Sequence, residues 1–187
     1  MSYINSFRKS TQNLSKLGPL CVCAMMLALR IVLGMFTNFT LAFAPFVKIG
    51  FSFLPIVIVA YLYGPVCAAI VSGGGDILSV ILSNPTAFSI MPGITLCYIF
   101  EGLILGIILF DRNVDVKRIS IAFLSVLVLC RLPLNTLVLS QIMGMPYLEL
   151  LIYRAAILVP FAVVEVLVSF SVLKAVDRVP MLKNIRQ

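Results

Sequence analysis

Six ionisable residues stand inside otherwise apolar runs: Arg30, Asp76, Glu101, Arg131, Arg154 and Glu165. Charge is costly at membrane depth, so such groups normally face a protein interior or a wet cavity and mark function. Three arginines, with Lys48 nearby, face only two or three acids. An excess of buried guanidinium suits an anionic ligand, because its fork matches carboxylate geometry. The alternative is that these groups pair among themselves and hold the helices together. A second pattern lies in "IVSGGGDILSVILS", residues 70–83. On a helix, Ser72, Asp76, Ser79 and Ser83 share one face by their spacing. The three glycines let a neighbouring helix approach closely and weaken the helix locally. Either an arginine satisfies Asp76 at a tight helix contact, or Asp76 lines a cavity and accepts hydrogen bonds from ligand N–H groups. No Lys-Ser/Thr follows the glycines, so they do not form a phosphate loop.

The residue inventory excludes most catalysis. The chain has no histidine, hence no Ser–His or Cys–His pair and no H-E-x-x-H. Its five cysteines (Cys21, Cys23, Cys67, Cys97, Cys130) form no C-x-x-C pair and suggest no zinc site. They read as small buried hydrophobes. Asp76 and Glu101 could in principle act as an acid–base dyad. Without a G-x-x-x-x-G-K-[ST] signature, any ATP-driven step must be performed by another chain. No catalytic residue, metal site or cofactor is assigned.

The elements that must position these charges are membrane helices. Of 187 residues, 61% are hydrophobic and 11% charged, against about half and about a quarter in ordinary soluble domains. The chain reads as an all-α, multi-pass membrane protein, with residues 1–187 forming a single integral membrane domain. A polar, basic segment over about 1–16 precedes the first apolar run and looks like a retained lead-in, not a cleaved signal. Spans are expected over about 17–37, 49–63, 65–83, 90–110, 119–143 and 147–176, punctuated by "YGP", "SNP" and "GMP". With six spans, ten basic residues fall on one side and only Lys48 on the other. Both termini are therefore expected in the cytoplasm. The net charge of +7 is mostly this asymmetry and does not indicate nucleic-acid binding. In that frame Arg30 and Arg154 lie toward the outside. Arg131 lies near the middle of its span, with Asn135 one turn outward. Glu165, three turns deeper than Arg154, reads as structural.

The stretches "LGPLCVCAMMLALRIVLGMF", "KIGFSFLPIVIVAYLYGPVCAAIVSGGGDILSVIL", "MPGITLCYIFEGLILGIIL" and "LPLNTLVLS" cover about residues 17–175. In this order they resemble the substrate-binding S components of energy-coupling factor (ECF) vitamin transporters. "KIGFSFLP" and "PGITL" resemble the folate-specific type most. The resemblance implies a six-helix bundle that captures a vitamin from outside a prokaryotic plasma membrane. It also implies partners: a transmembrane T subunit and two cytoplasmic ATPases. The family's Ala-x-x-x-Ala coupling motif matches Ala24 and Ala28, and small residues one turn apart do let another helix dock. Arg30 lies about 140° round the helix from them.

The family's Asn-Thr motif matches Asn135 and Thr136, but the tryptophan that commonly follows is absent, as it is from the whole chain. That argues against an aromatic cage for thiamine. Folate's dianionic glutamyl tail would suit Lys48 or Arg154. Its pterin fork would suit Asp76, Glu101 or Asn135. Phe43, Phe46, Phe88 and Met91 would sandwich the flat ring. Candidate substrate-binding residues are thus Arg30, Phe46, Lys48, Asp76, Phe88, Met91, Glu101, Arg131, Asn135 and Arg154. Alternatives are an S component for riboflavin, pantothenate or thiamine, or a proton-coupled secondary transporter working through Asp76 or Glu101.

Overall fold

A computed structural model describes residues 7, 9–12, 17–37, 39–41, 44–83, 92–110 and 114–178, without the side chains of 35–37, 39–41, 44–49, 83 and 143. Its elements are α1 (Leu17–Thr37), a hairpin of β1 (Phe39–Leu41) and β2 (Ala44–Ile49), α2 (Leu54–Tyr63), α3 (Pro65–Ser83) and α4 (Pro92–Leu109). Then come α5 (Val116–Val126), a π-helical segment (Leu127–Leu134), α6 (Asn135–Met143) and α7 (Tyr147–Asp177). Five helical stretches are long and apolar enough to cross a membrane, with α5 to α6 counting as one. The apolar runs and their Gly-Pro punctuation thus mark the helices, as expected from sequence.

Two features depart from the expected pattern. The connection between the runs placed at 17–37 and 49–63 holds an antiparallel hairpin, in which Phe39 pairs with Ile49, Thr40 with Lys48 and Leu41 with Ala44, so the described residues are helical with one small β element. The helix proper starts only at Leu54, where Pro55 suits the first turn. The span placed at 119–143 is continuous but changes pitch in the middle, around Pro133.

Helix α2 is the axis of the core. Eight of its ten residues are buried, Val59, Ala60 and Tyr63 completely. Against it pack Cys67, Ala68 and Val71 of α3, Leu105 and Leu109 of α4, Ile119, Phe123 and Val126 of α5, and Leu173 of α7. A helix apolar on every side belongs in the middle of such an assembly. Phe53, at its start, meets the Phe123 ring edge-on at 5.9 Å.

Glycines set the tightest helix contact. A Cβ on Gly106 would lie 2.3 Å from Pro65 Cα, and one on Gly102 would lie 2.6 Å from the Ala68 carbonyl oxygen. This Gly-x-x-x-Gly pair brings α3 and α4 backbone to backbone. Gly64, at φ +89°, makes the corner between α2 and α3. Ser10 of the N-terminal segment is fully buried there. Its Oγ accepts from Val66 N–H at 3.1 Å and Cys67 N–H at 3.4 Å, so a residue 56 positions upstream caps α3. Tyr61 O–H donates to Asp177 at 3.2 Å. The N-terminal segment, the α2–α3 corner and the end of α7 therefore share one end of the bundle.

Gly106→Ala should be strongly destabilising, by at least about 1–3 kcal/mol, since the clash is with backbone that cannot rotate away. Gly18→Ala has nothing within 4 Å and should be neutral or slightly stabilising through helix propensity. Thermal unfolding of the two detergent-purified variants checks the contrast.

Candidate functional site

The helices differ in length. At about 1.5 Å per residue, α2 is about 15 Å long, whereas α1, α3 and α4 run to about 30 Å. Counted from the corner at Gly64, α2 reaches only as far as the first ten residues of α3. Six charged residues of the helices, Arg30, Asp76, Glu101, Arg131, Arg154 and Glu165, are buried or half-buried. Arg30 and Glu101 lie level with residues 68–72 of α3, alongside the apolar core that α2 organises.

The glycine triplet, all of it helical, makes room for an arginine. A Cβ on Gly75 would sit 2.8 Å from Arg30 Cδ and Nη1, while one on Gly73 would meet Ile99 at 2.6 Å. Arg30 Nη1 donates to the Val71 carbonyl at 2.9 Å and also to the Ser72 carbonyl. Its guanidinium lies 5.1 Å from the Tyr98 ring centroid, an attraction between a cation and the negative face of the ring. Ser72 Oγ in turn donates to the Tyr98 carbonyl at 2.7 Å, tying α3 to α4. Asp76, one turn on, accepts from Thr95 Oγ1 at 2.8 Å. Thr95 and Tyr98 were not foreseen from sequence, although both lie on α4 at spacings that face α3 together with Glu101.

Arg131 is the hub. Its Nη2 meets Glu101 Oε1 at 2.5 Å, and its Nη1 meets Glu165 Oε2 at 2.6 Å. One guanidinium therefore joins α4, the π-helical segment and α7 at a point where both carboxylates are almost wholly buried. Glu165 has the structural role expected of it, with Arg131 as its partner. Arg131 and Glu101, proposed from sequence as ligand groups, are engaged with the protein itself.

Arg154 stands apart. It is 6% exposed, and its Nε has no hydrogen-bond partner among the described residues. It lies within electrostatic range of Arg131, Tyr98 and Cys97. Thr136 is completely buried with its hydroxyl likewise unpartnered, and Asn135 beside it is half-buried. Ala24 and Ala28 face outward with Leu20, Met25, Leu29 and Val32, opposite Arg30. Of the expected aromatic sandwich, Phe43, Phe88 and Met91 lie outside the described residues, as do the side chains of Phe46 and Lys48. Cys67, Cys97 and Cys130 are buried as expected, while Cys21 is exposed.

Within this helical bundle lie a buried Glu101–Arg131–Glu165 ion triad, a buried Arg154 whose Nε has no hydrogen-bond partner among the described residues, and two outward-facing alanines one turn apart on α1. The chain belongs to the family of ECF transporter substrate-specific components, whose model matches residues 19–176. It is similar to the folate transporter FolT of Clostridium novyi (strain NT), with 29% identity over 175 residues, 92% of this chain and 97% of that protein. A crystal structure of FolT bound with folic acid shares the fold at a TM-score of 0.75 and 23% identity, over 84% of this chain and 93% of that one. Membership makes the chain a multi-pass cell-membrane protein and the substrate-binding part of a transporter, not an enzyme.

Arg131→Ala would leave two buried carboxylates without a cation. It should cost about 3–5 kcal/mol, the range for breaking a buried ion pair from one side, and lower the melting temperature of the purified chain with or without ligand.

Proposed function

We propose that this chain captures folate from outside the cell as the S component of an ECF-type importer. The observation that carries the reading is Arg154, a buried guanidinium whose Nε has no hydrogen-bond partner among the described residues. Folate's glutamyl carboxylates supply a fitting counter-charge, since charge-assisted bonds from guanidinium to carboxylate are among the strongest polar contacts available. The names of the similar proteins, a folate transporter and a FolT crystallised with folic acid, support the same ligand.

In this reading Arg154, with Lys48 at the hairpin, holds the glutamyl end. Asp76 and Asn135 read the pterin, and Phe46, Phe88 and Met91 enclose its faces. Arg30, Glu101 and Arg131 shape the site from behind. Helix α2 with the extended residues before it makes the second of six crossings. The end bearing Ser10, Lys117, Arg118, Lys174 and Arg178 faces the cytoplasm, as the distribution of basic residues requires. Uptake then needs a T subunit docked on the Ala24–Ala28 face of α1 and two ATPases. Small residues on that face permit close approach of another helix, and only 6% of the α1 span is buried, against 39% of α3.

Arg154→Gln should weaken folate binding by about a hundredfold or more, corresponding to about 3 kcal/mol for a lost charged hydrogen bond. Ala28→Trp should leave binding by the isolated chain intact and abolish uptake in cells that carry the T and ATPase subunits. Normal uptake by Ala28→Trp would remove α1 as the docking face. Unchanged folate affinity in Arg154→Gln would remove the anion site.

A further inference from the structure

The π-helical segment Leu127–Leu134 lies directly before the Asn135–Thr136 pair. Its cause is legible in the sequence. Pro133 has no N–H, and in a regular α-helix its ring would press on the carbonyl four residues earlier. Widening the turn relieves that contact: Asn135 N–H donates to the Cys130 carbonyl, five residues back rather than four. One extra residue in the turn rotates everything after it by about 100° relative to an unbroken α-helix. The segment therefore sets which way Asn135 and Thr136 point. With the turn in place, Thr136 is completely buried, its hydroxyl unpartnered among the described residues.

A wide turn is a poor helix by itself and needs external restraint. Arg131 sits within it and is gripped from two sides, by Glu101 on α4 and by Glu165 on α7. We propose that the Glu101–Arg131–Glu165 clamp is a positioning device: it holds the π-turn open and so presents Asn135 and Thr136 to the ligand, without Arg131 touching the ligand. The proposal rests on the capture reading above. It differs from a contact role for Arg131 in what it predicts for ligands of different charge.

Two variants probe it. Arg131→Lys replaces the planar fork that spans the two carboxylates with one compact ammonium on a different stem. Glu101→Leu/Arg131→Met/Glu165→Leu removes the clamp as an apolar set of similar volume, an exchange that buried ion triads tolerate. Calorimetric titration with folate, and with pteroate, which lacks the glutamate, reads the binding site. Both variants should lose affinity for both ligands by the same factor, about ten- to hundredfold, the range seen when a group that orients a binding residue is removed. Arg154→Gln should instead lose folate and spare pteroate.

Loss of folate affinity alone in Arg131→Lys would place Arg131 on the glutamyl carboxylates and overturn the proposal. Unchanged binding of both ligands by the triple variant would overturn it as well. Amide hydrogen exchange, read without ligand, tests the clamp whether or not folate is the substrate. In the triple variant, exchange should accelerate over 127–136 and stay as in wild type over α2 and α3. Unaltered exchange over 127–136 would refute the clamp, and acceleration everywhere would reduce it to a global stabiliser. Failure of the wild-type chain to bind either ligand, with local acceleration still seen, would leave the clamp standing and remove the folate reading alone.

Discussion

The structure depends on one guanidinium placed where it is expensive. Removing charge from water costs several kcal/mol per ion in practice, on the order of the whole stability of a domain. Arg131 meets that cost with two carboxylates at 2.5 and 2.6 Å, one from α4 and one from α7. Those helices must therefore converge on the middle of the α5–α6 rod. The short apolar α2 fills the core beside them, and Gly102 and Gly106 bring α4 backbone to backbone with α3. With Glu101 and Glu165 both paired to Arg131, Arg154 is left with its Nε unpartnered among the described residues. The binding capacity of the bundle is thus a remainder, set by how the other charges are spent.

Arg30 shows a different solution to the same problem. Among the described residues its Nη1 hydrogen bonds go to two backbone carbonyls of α3, with the face of Tyr98 beside the guanidinium. The three glycines create the groove that this requires. Substituting any Cβ at Gly75 would push the guanidinium off its carbonyls. A run that suggests a loop in isolation is thus a helix face cut away to seat an arginine.

Much of this was legible in the sequence. The apolar runs locate the helices because a membrane demands long apolar segments. Arg30, Asp76, Glu101, Arg131, Arg154 and Glu165 can be picked out because charge is rare there. The faces of α1 follow from helical spacing, with Ala24 and Ala28 outward and Arg30 inward. Pairing was not legible. Which acid meets Arg131 depends on the crossing of three helices distant in sequence, and simple depth counting put Glu165 too far from Arg154 without indicating Arg131. The hairpin was missed because residues 38–48 read as a connection between two spans, although the β-branched and aromatic residues of "APFVKI" suit a strand. The span over 119–143 reads as one regular helix, and the wide turn around Pro133 shows only in the Asn135 to Cys130 hydrogen bond.

The most direct test is calorimetric titration of the single chain, purified in detergent and stripped of ligand, with folate and then with thiamine, riboflavin and pantothenate. Tight, saturable folate binding without any ATPase or T subunit, and no heat from the other three, is the predicted result. Tight binding of one of the others with none of folate would contradict the assignment of the ligand while leaving the architecture intact. Silence toward all four would contradict the reading of Arg154 as the anchor for a vitamin's carboxylates.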